Sequence, residues 1–238
     1  GIEWGLFTAS KVSVVRPGID PTAFAARIES PERDRLRAML GVAPDQLLVG
    51  TVSCLKPQKS PEDFVRVAAL VCQRVPAARC VLVGDGALRP KVEALLLEQG
   101  LQDRVTLLGW RRDVAALLKA FDVFVLTSQW EGLPCAILEA RASRIPIVAT
   151  RVGGAAEAIV EGIQGTLCPA GDVRAMAERV CQILEDERFR VDLRTGTQEL
   201  PEEFTIQETL KQYQSLYAYL LHATRPSEDV MKLQPNRL

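Results

Sequence analysis

The chain has 238 residues, of which 47% are hydrophobic and 25% are charged, and its formal net charge is −1. This length is enough for one large domain or two small ones, and the apolar fraction is enough for a sizeable core. Because positive and negative charges balance, the composition argues against a general nucleic-acid or membrane-surface binder. No apolar run approaches the ~18 residues that a membrane span requires.

The cysteines and the single histidine restrict the chemistry that the chain can perform. None of the six cysteines belongs to a C-x-x-C pair and most lie in apolar stretches, so we expect buried free thiols rather than disulfides or metal ligands. This usage fits a reducing cytoplasm. The only histidine is His222, near the polar end of the chain. Catalysis by a histidine base or a histidine-bound metal is therefore excluded, which leaves carboxylates, lysines and backbone groups.

From residue 47 onward, short apolar runs alternate with amphipathic stretches. We predict strands at 47–53, 80–86, 105–109, 123–128, 145–150 and 165–168. The runs are continuous rather than alternating, which indicates strands covered on both faces. Strands that alternate with helices predict an α/β fold with a doubly wound, Rossmann-like parallel sheet.

The helix after the first predicted strand has a recognisable start. Pro61 occupies its first position, where a missing N–H costs nothing, and Ser60 is placed to cap it. Phe64, Val67 and Val71 follow at helical spacing, which predicts an amphipathic helix.

Two terminal segments do not share the alternation of strands and helices. We predict that residues 1–24 form a linker segment with one strand and a glycine turn. Residues 222–238 lack periodicity, so we predict that they form a mobile tail. The folded domain is therefore expected to span residues 25–221.

Glycines and charged residues follow the predicted strands. In open parallel sheets, ligands bind beyond the carboxyl ends of the strands. Lys56 and Lys59 follow the first strand, Gly84 and Gly86 follow the second, and a loop at 128–134 follows the fourth. These groups converge on one edge of the sheet, as binding of a phosphate-bearing ligand requires.

Two glutamates flank a bend in the segment WEGLPCAILEA. Glu131 lies in the loop past the fourth strand, and Pro134 opens the next helix, so the amides of Gly132 and Leu133 can donate to an anion. Glu139 lies over one turn into that helix and can face the same cleft. Taken alone, two such glutamates are more often solvated charges. Two carboxylates with amides between them suit a nucleotide sugar.

Several segments resemble one known family. EGLPCAILEARASRIPIVATRVGG is similar to the Glu, seven residues, Glu segment of retaining GT-B glycosyltransferases of family four, and TVSCLKPQKSPEDFV resembles the family's first phosphate loop. The likeness continues in the family's order over residues 12–221. The family has two Rossmann-like halves, and this chain resembles the C-terminal, donor-binding half. The resemblance therefore implies that an N-terminal acceptor-binding half is missing and that this half alone transfers little.

The resemblance also implies roles for individual residues. Glu139 would hold the ribose hydroxyls of the donor. Glu131 would be the catalytic residue that contacts the transferred sugar, with the amides of Gly132 and Leu133 nearby. Lys59 matches the family lysine on the donor diphosphate.

Further residues match the part of the family site that binds the nucleotide. Gly84 and Gly86 would let the backbone approach the nucleotide, and the loop that ends at Val114 would border the base. A tight strand-to-helix turn explains the two glycines equally well. No metal cofactor is implied, because lysine and amides carry the charge of the diphosphate.

The chain departs from the family pattern at three positions. The family commonly has arginine where this chain has Cys54, and Lys56 is the candidate replacement for the lost cation. Arg141 and Arg144 replace a small or apolar residue and a glycine, and the sequence offers no functional explanation for either.

The implied function is donor binding for a retaining transfer of a hexose from a nucleotide diphosphate sugar to a glycan or lipid-linked acceptor. Polysaccharide biosynthesis in the cytoplasm would be the setting. The implied partners are the donor, the acceptor half and a membrane surface reached through that half, and no nucleic acid. A stand-alone nucleotide-sugar-binding module is the main alternative. An epimerase is less favoured, because it would need further carboxylates and histidines in its cleft. The base, the sugar and the acceptor stay open.

Overall fold

A computed structural model describes residue 8 and residues 12–25, 30–196 and 199–223 of the chain. Within these residues, the strands are β1 Leu47–Val52, β2 Ala78–Val83, β3 Val105–Gly109, β4 Val123–Leu126, β5 Ile147–Thr150 and β6 Gly165–Cys168. The helices are α1 Thr22–Ala25, α2 Ser30–Met39, α3 Pro61–Arg74, α4 Arg89–Glu98, α5 Val114–Ala120, α6 Cys135–Ala142, α7 Ala155–Ala158, α8 Val173–Glu185, α9 Glu187–Gly196 and α10 Ile206–Ala223. No helix among the described residues is long and apolar enough to cross a bilayer.

The six strands form one parallel sheet in the order β3-β2-β1-β4-β5-β6. The strand order changes direction between β1 and β4. This reversal places the loops after β1 and β4 side by side at the carboxyl edge of the sheet, where ligands of open α/β sheets bind. The predicted fold class, a doubly wound parallel sheet, is confirmed.

Helices cover both faces of the sheet. On one face, α3 packs against α8 and buries Phe64, Val67 and Val71, which confirms the predicted amphipathic helix. On the other face, α5 and α6 bury Leu117 and Ile137. Full burial of each such side chain contributes roughly 1.5–3 kcal/mol, so the core on both faces stabilises the central strands.

All six predicted strands are present, but several boundaries differ. The prediction extends the second strand to residue 86 and the fourth to residue 128, whereas β2 ends at Val83 and β4 ends at Leu126. The chain leaves the second ladder at Gly84, whose φ of +130° is outside the strand region. Apolar or small residues just past the last paired residue of a strand therefore extend the predicted strand, although the backbone has already turned there.

The predicted cap by Ser60 is wrong. Ser60 has a φ of +43°, and its side chain does not bond to the amides of α3. Its hydroxyl instead donates to Oδ2 of Asp63 at 2.7 Å, while its backbone carbonyl accepts from the Asp63 amide at 3.0 Å. A short 3₁₀ turn over residues 57–59 delivers the chain to α3 in this left-handed conformation.

The linker segment packs against the start of α10. The strand predicted within residues 1–24 is not found among the described residues 12–18, and only an isolated bridge joins Ile19 to Thr205. A Cβ on Gly18 would lie 2.2 Å from the carbonyl oxygen of Thr205, so glycine is required for this approach. Helix α10 continues through Ala223, two residues past the predicted domain end, and residues 224–238 of the predicted tail lie outside the described residues.

Helix α6 ends on a residue that would ordinarily be glycine. Arg144 has a φ of +55°, and its amide donates to the carbonyl of Arg141 at 2.9 Å while the Ile145 amide donates to Ala140 at 3.1 Å. These bonds form a Schellman-type end, in which the left-handed position favours glycine. An L-residue with a side chain costs about 1 kcal/mol there.

A buried carboxylate ties the amino edge of the sheet together. Asp122 precedes β4 and is 6% exposed. It accepts hydrogen bonds from the Leu48 amide at 2.8 Å and from Arg33 and Arg37 at 2.9 Å each. Burial acts to raise the pKa of Asp122, but the Leu48 amide and the charges of Arg37 and Arg33 outweigh it and hold this pKa below its ordinary value. Asp122 thereby joins α2, β1 and β4.

We expect Asp122→Asn to lower the free energy of unfolding by about 3 kcal/mol at pH 7, because it leaves the buried Arg37 and the partly buried Arg33 without their counter-charge. Urea denaturation measures this change. Since the folded-state pKa lies below 3.8, the contribution is present above that pH and is lost as the pH falls further. The difference from the wild-type protein should therefore narrow in acid. The exposed Asp45→Asn is the control, expected to change stability by less than about 0.5 kcal/mol.

Candidate functional site

The loops after β1 and β4 are bonded to each other at the point where the strand order reverses. The Gln129 amide donates to the carbonyl of Gln58 at 2.7 Å, and the Gln58 side chain donates to the carbonyl of Trp130 at 2.9 Å. The hydroxyl of Thr127 donates to the carbonyl of Lys59 at 3.0 Å. These bonds fix the two loops relative to each other.

Glu131 is held by donors from both loops. Its side chain is 6% exposed and forms an ion pair with Lys59, whose side chain is 16% exposed. The Ser128 hydroxyl donates to Oε1 of Glu131 at 2.6 Å, and Nε2 of Gln58 donates to Oε2 at 3.4 Å. Two residues predicted from separate segments, Lys59 and Glu131, are thus brought into direct contact.

Glu139 has a different environment. It lies over one turn into α6 and is half-buried, and no described residue donates a hydrogen bond or forms an ion pair with its carboxyl group. Burial alone raises the pKa of Glu139 above its ordinary value of 4.5. A partly desolvated carboxylate without donors is costly, and hydroxyl groups of a ligand are donors that would offset this cost.

Both glutamates lie near the thiol of Cys135. The exposed Cys135, at the start of that helix, has a thiol whose pKa is raised first by burial and then by the charge of Glu139. Its own backbone and the charge of Lys59 oppose this shift, and the charge of Glu131 adds to it. The charges of Glu139, Lys59 and Glu131 therefore all act on the thiol of Cys135.

The bend between the glutamates supplies free amides. No acceptor among the described residues takes the amides of Gly132 or Leu133. The first amides of a helix have no partner within it, and α6 has 8 residues, so its dipole adds to their attraction for an anion. The predicted anion-donor role of this bend is consistent with the geometry.

The glycine pair after β5 positions this bend. Gly153 has a φ of +44°, and a Cβ there would come within 1.9 Å of the carbonyl oxygen of Glu131. The Gly154 amide donates to the carbonyl of Gly132 at 2.6 Å. Gly153 and Gly154 therefore form the turn before α7 and support the backbone of the bend.

Gly84 and Gly86 bring two loops together. A Cβ on Gly84 would lie 2.0 Å from the carbonyl oxygen of Ser53, and one on Gly86 would lie 2.6 Å from that of Leu55. Both glycines are therefore required by packing against the loop after β1. Gly84 and Val114 line the same small cavity of about 150 Å³. Its lining residues are Val52, Ser53, Cys54, Val83, Gly84, Trp110, Arg111 and Val114.

Lys56 lies apart from the Lys59–Glu131 pair. Its side chain is exposed and contacts no described side chain through a hydrogen bond or ion pair. Only its backbone is fixed, by a bond from its amide to the carbonyl of Cys54 at 2.9 Å.

Two polar residues of the site, Gln58 and Thr127, were not identified from the sequence, and Ser128 was placed in the loop without a role. Ser128 and Gln58 hold the Glu131 carboxylate, and Thr127 fixes the lysine loop. Hydroxyl residues directly after an apolar strand were an available signal, but the predicted strand extended over Thr127 to residue 128.

The comparisons with known proteins identify the class. Residues 32–200 match the model of the glycosyl transferases group 1 family, and the chain belongs to that family, which confirms the resemblance. The chain is 30% identical over 210 residues to a UDP-Gal:alpha-D-GlcNAc-diphosphoundecaprenol alpha-1,3-galactosyltransferase of Escherichia coli, covering 87% of this chain and 54% of that protein. It is 31% identical over 184 residues to an N-acetyl-alpha-D-glucosaminyl L-malate synthase of Bacillus anthracis, covering 77% and 48%. The chain spans about half the length of these curated relatives.

Solved structures agree with this assignment. The crystal structure of Anabaena Alr3699/HepE in complex with UDP-glucose has a TM-score of 0.81 and 26% identity, covering 91% of this chain and 60% of that one. WaaG, a glycosyltransferase involved in lipopolysaccharide biosynthesis, has a TM-score of 0.77 and 20% identity, covering 87% and 57%, and shows the shared fold alone.

We expect Glu139→Gln to raise the Tm of this chain at pH 7. Because burial raises the folded-state pKa, the unfolded chain ionises first as the pH rises through 4.5, and stability is lost up to the folded-state pKa. Replacement by the neutral amide removes that loss. The gain should disappear below about pH 4, where the carboxyl is protonated in both states. The exposed Glu98→Gln is the matched control, and an equal gain at both pH values would contradict the expectation.

Proposed function

We propose that this chain binds the donor of a retaining glycosyltransferase, which transfers a hexose from a nucleotide diphosphate sugar to a glycan or lipid-linked acceptor. One observation carries the proposal. A half-buried carboxylate without a described partner, Glu139, lies in the helix that follows the fixed Glu131–Lys59 pair and the free amides of the bend. The point where the strand order reverses thus offers hydrogen-bond donors, which suit the phosphates of a ligand, and a carboxylate acceptor, which suits its hydroxyl groups.

Glu139 takes the ribose hydroxyls. Two neighbouring hydroxyls can donate to its two oxygens, and hydrogen bonds to a charged group are worth about 1.5–3 kcal/mol. Such bonds would also remove the cost of leaving a partly desolvated carboxylate unpaired.

Lys59 and the bend take the diphosphate. Lys59 supplies a cation, and the amides of Gly132 and Leu133 supply fixed donors, so negative charge that grows on the leaving diphosphate is stabilised without reorganisation. Glu131 orients the transferred sugar and opposes the positive charge that develops at its anomeric carbon. The proposed diphosphate site needs no metal, because these groups carry the charge.

The small cavity that contains Gly84 and Val114 borders the base in this proposal. Uridine is favoured, since the Anabaena structure contains UDP-glucose and the Escherichia coli relative is named for UDP-Gal. Both proteins share at least a quarter of their aligned residues with this chain.

The acceptor is proposed to bind to a second Rossmann-like half, which also provides any contact with a membrane surface. The roughly half coverage of the curated relatives supports this proposal. The six described cysteines are free thiols, which supports a reducing compartment such as the cytoplasm. Polysaccharide biosynthesis is the proposed setting, with no role for nucleic acid.

Calorimetric titration of the chain with UDP-glucose and with UDP separates the roles of the two glutamates. Glu139→Gln should weaken both ligands about tenfold or more, because both contain ribose. Glu131→Gln should remove the extra affinity for UDP-glucose and leave UDP within about threefold. The affinities should be unchanged by EDTA.

Equal losses of UDP and UDP-glucose in Glu131→Gln would contradict the sugar role of this residue. A thermal-shift panel of UDP, GDP and ADP sugars is the preceding control, because binding to the folded state raises its stability. Absence of a shift with every donor would overturn the proposed function.

The lysines give a further test. Lys59→Ala should lower UDP affinity at least tenfold, since it removes a partly buried cation from the diphosphate. If Lys56 replaces the cation missing at Cys54, then Lys56→Ala should lower the affinity about threefold, a smaller effect because exposed charges are screened. Unchanged affinity in Lys56→Ala alone would contradict the replacement.

A further inference from the structure

A second polar cavity lies at the amino edge of the sheet, opposite to the donor site. It holds about 280 Å³ and is formed where the chain enters β4 and β5. Among the described residues that line it, four side chains are cations and none is an acid. The cations are Arg33, Lys119, Arg144 and Arg194.

Among the described residues, positive charge at this cavity exceeds negative charge. Arg33 and Arg194 share one carboxylate, Asp122, which Arg37 also contacts. Arg33 further donates to carbonyls at the end of α5, and Lys119 donates to the carbonyl of Ala23 at 2.9 Å. Helix C-termini favour cations, so part of this arrangement is structural. Asp122 is the acid that pairs with these arginines among the described residues, and one carboxylate does not balance them.

Two donors at the cavity lack acceptors. The Ser143 hydroxyl and Nε of Arg194 are buried and have no hydrogen-bond partner among the described residues. Both side chains line the cavity. A buried donor without an acceptor costs stability, so these two groups are a cost at the cavity wall that the described residues do not offset.

Arg144 is the cation without a structural explanation. Its side chain makes no hydrogen bond or ion pair with a described residue, yet it occupies the left-handed end of α6 where glycine would be less strained. Glu199 lines an adjoining cavity together with Arg144 but forms no ion pair with it. The strained conformation therefore keeps at the cavity a guanidinium without a partner among the described residues.

We propose that the Arg33, Lys119, Arg144 and Arg194 cavity binds a phosphate group. Its volume suits a compact ligand, below the usual range for drug-sized molecules. Several cations around one small space match a multiply charged anion, and the planar guanidinium fork matches phosphate oxygens. The adjoining cavity, lined by Pro21, Thr22 and Leu200, leaves room for an organic group on the phosphate.

Arg144→Gly is the decisive variant, because glycine relieves the strain at the end of α6 and keeps the chain folded. Calorimetry with inorganic phosphate at constant ionic strength should show at least tenfold weaker binding than in the wild-type protein. Ser143→Ala should leave the Tm without phosphate equal or higher, since it removes an unpaired donor. Arg174→Ala, an exposed cation on α8 across the sheet, should bind phosphate like the wild-type protein.

Two further arms separate the donor site and the source of phosphate. In a Lys59→Met background, Arg144→Gly should weaken phosphate binding by the same factor, because the two sites lie at opposite edges. Vesicles of phosphatidylglycerol, compared with phosphatidylcholine, test a lipid phosphate. Arg144-dependent binding to either source supports the proposal. Unchanged binding of both inorganic phosphate and phosphatidylglycerol vesicles by Arg144→Gly overturns it.

Discussion

The reversal of strand order between β1 and β4 is the constraint on which the candidate donor site depends. Parallel strands that wind outward from this point leave two loops side by side with no crossover between them. The lysine loop and the glutamate bend meet only for this reason. Their mutual hydrogen bonds, and the close approach of Gly153 to the carbonyl of Glu131, then fix the positions of the charged groups.

The two edges of the sheet use buried charge differently. At the amino edge, Asp122 has several donors, so its ionised form stabilises the fold. At the carboxyl edge, Glu139 has none among the described residues, so its ionised form costs stability in the free chain. Proteins commonly lose some stability at a functional group that lacks hydrogen-bond partners until a ligand binds. The polar groups of one domain thus divide between those that hold the sheet and those that we propose to hold a ligand.

Much of the fold could be predicted because the local patterns agree with one another. Continuous apolar runs identified all six strands, and the spacing of Phe64, Val67 and Val71 identified the helix that they bury. The boundaries were harder, since Thr127 and Ser128 look like strand residues although they turn inward to bond neighbouring loops. Ser60 shows the same difficulty of local prediction. Serine favours the cap position of a helix, but the preceding 3₁₀ turn places Ser60 in a left-handed backbone conformation.

The sequence by itself determined the fold class, the family and the identity of the candidate residues, because periodicity and motif spacing are local properties of the chain. Only the tertiary structure decided which of those residues meet. It paired Lys59 with Glu131, left Glu139 without a described donor and kept Lys56 outside the pair. It also gathered cations from four separate elements and loops into one cavity. Such contacts depend on strand order and loop packing, which join positions far apart in the chain.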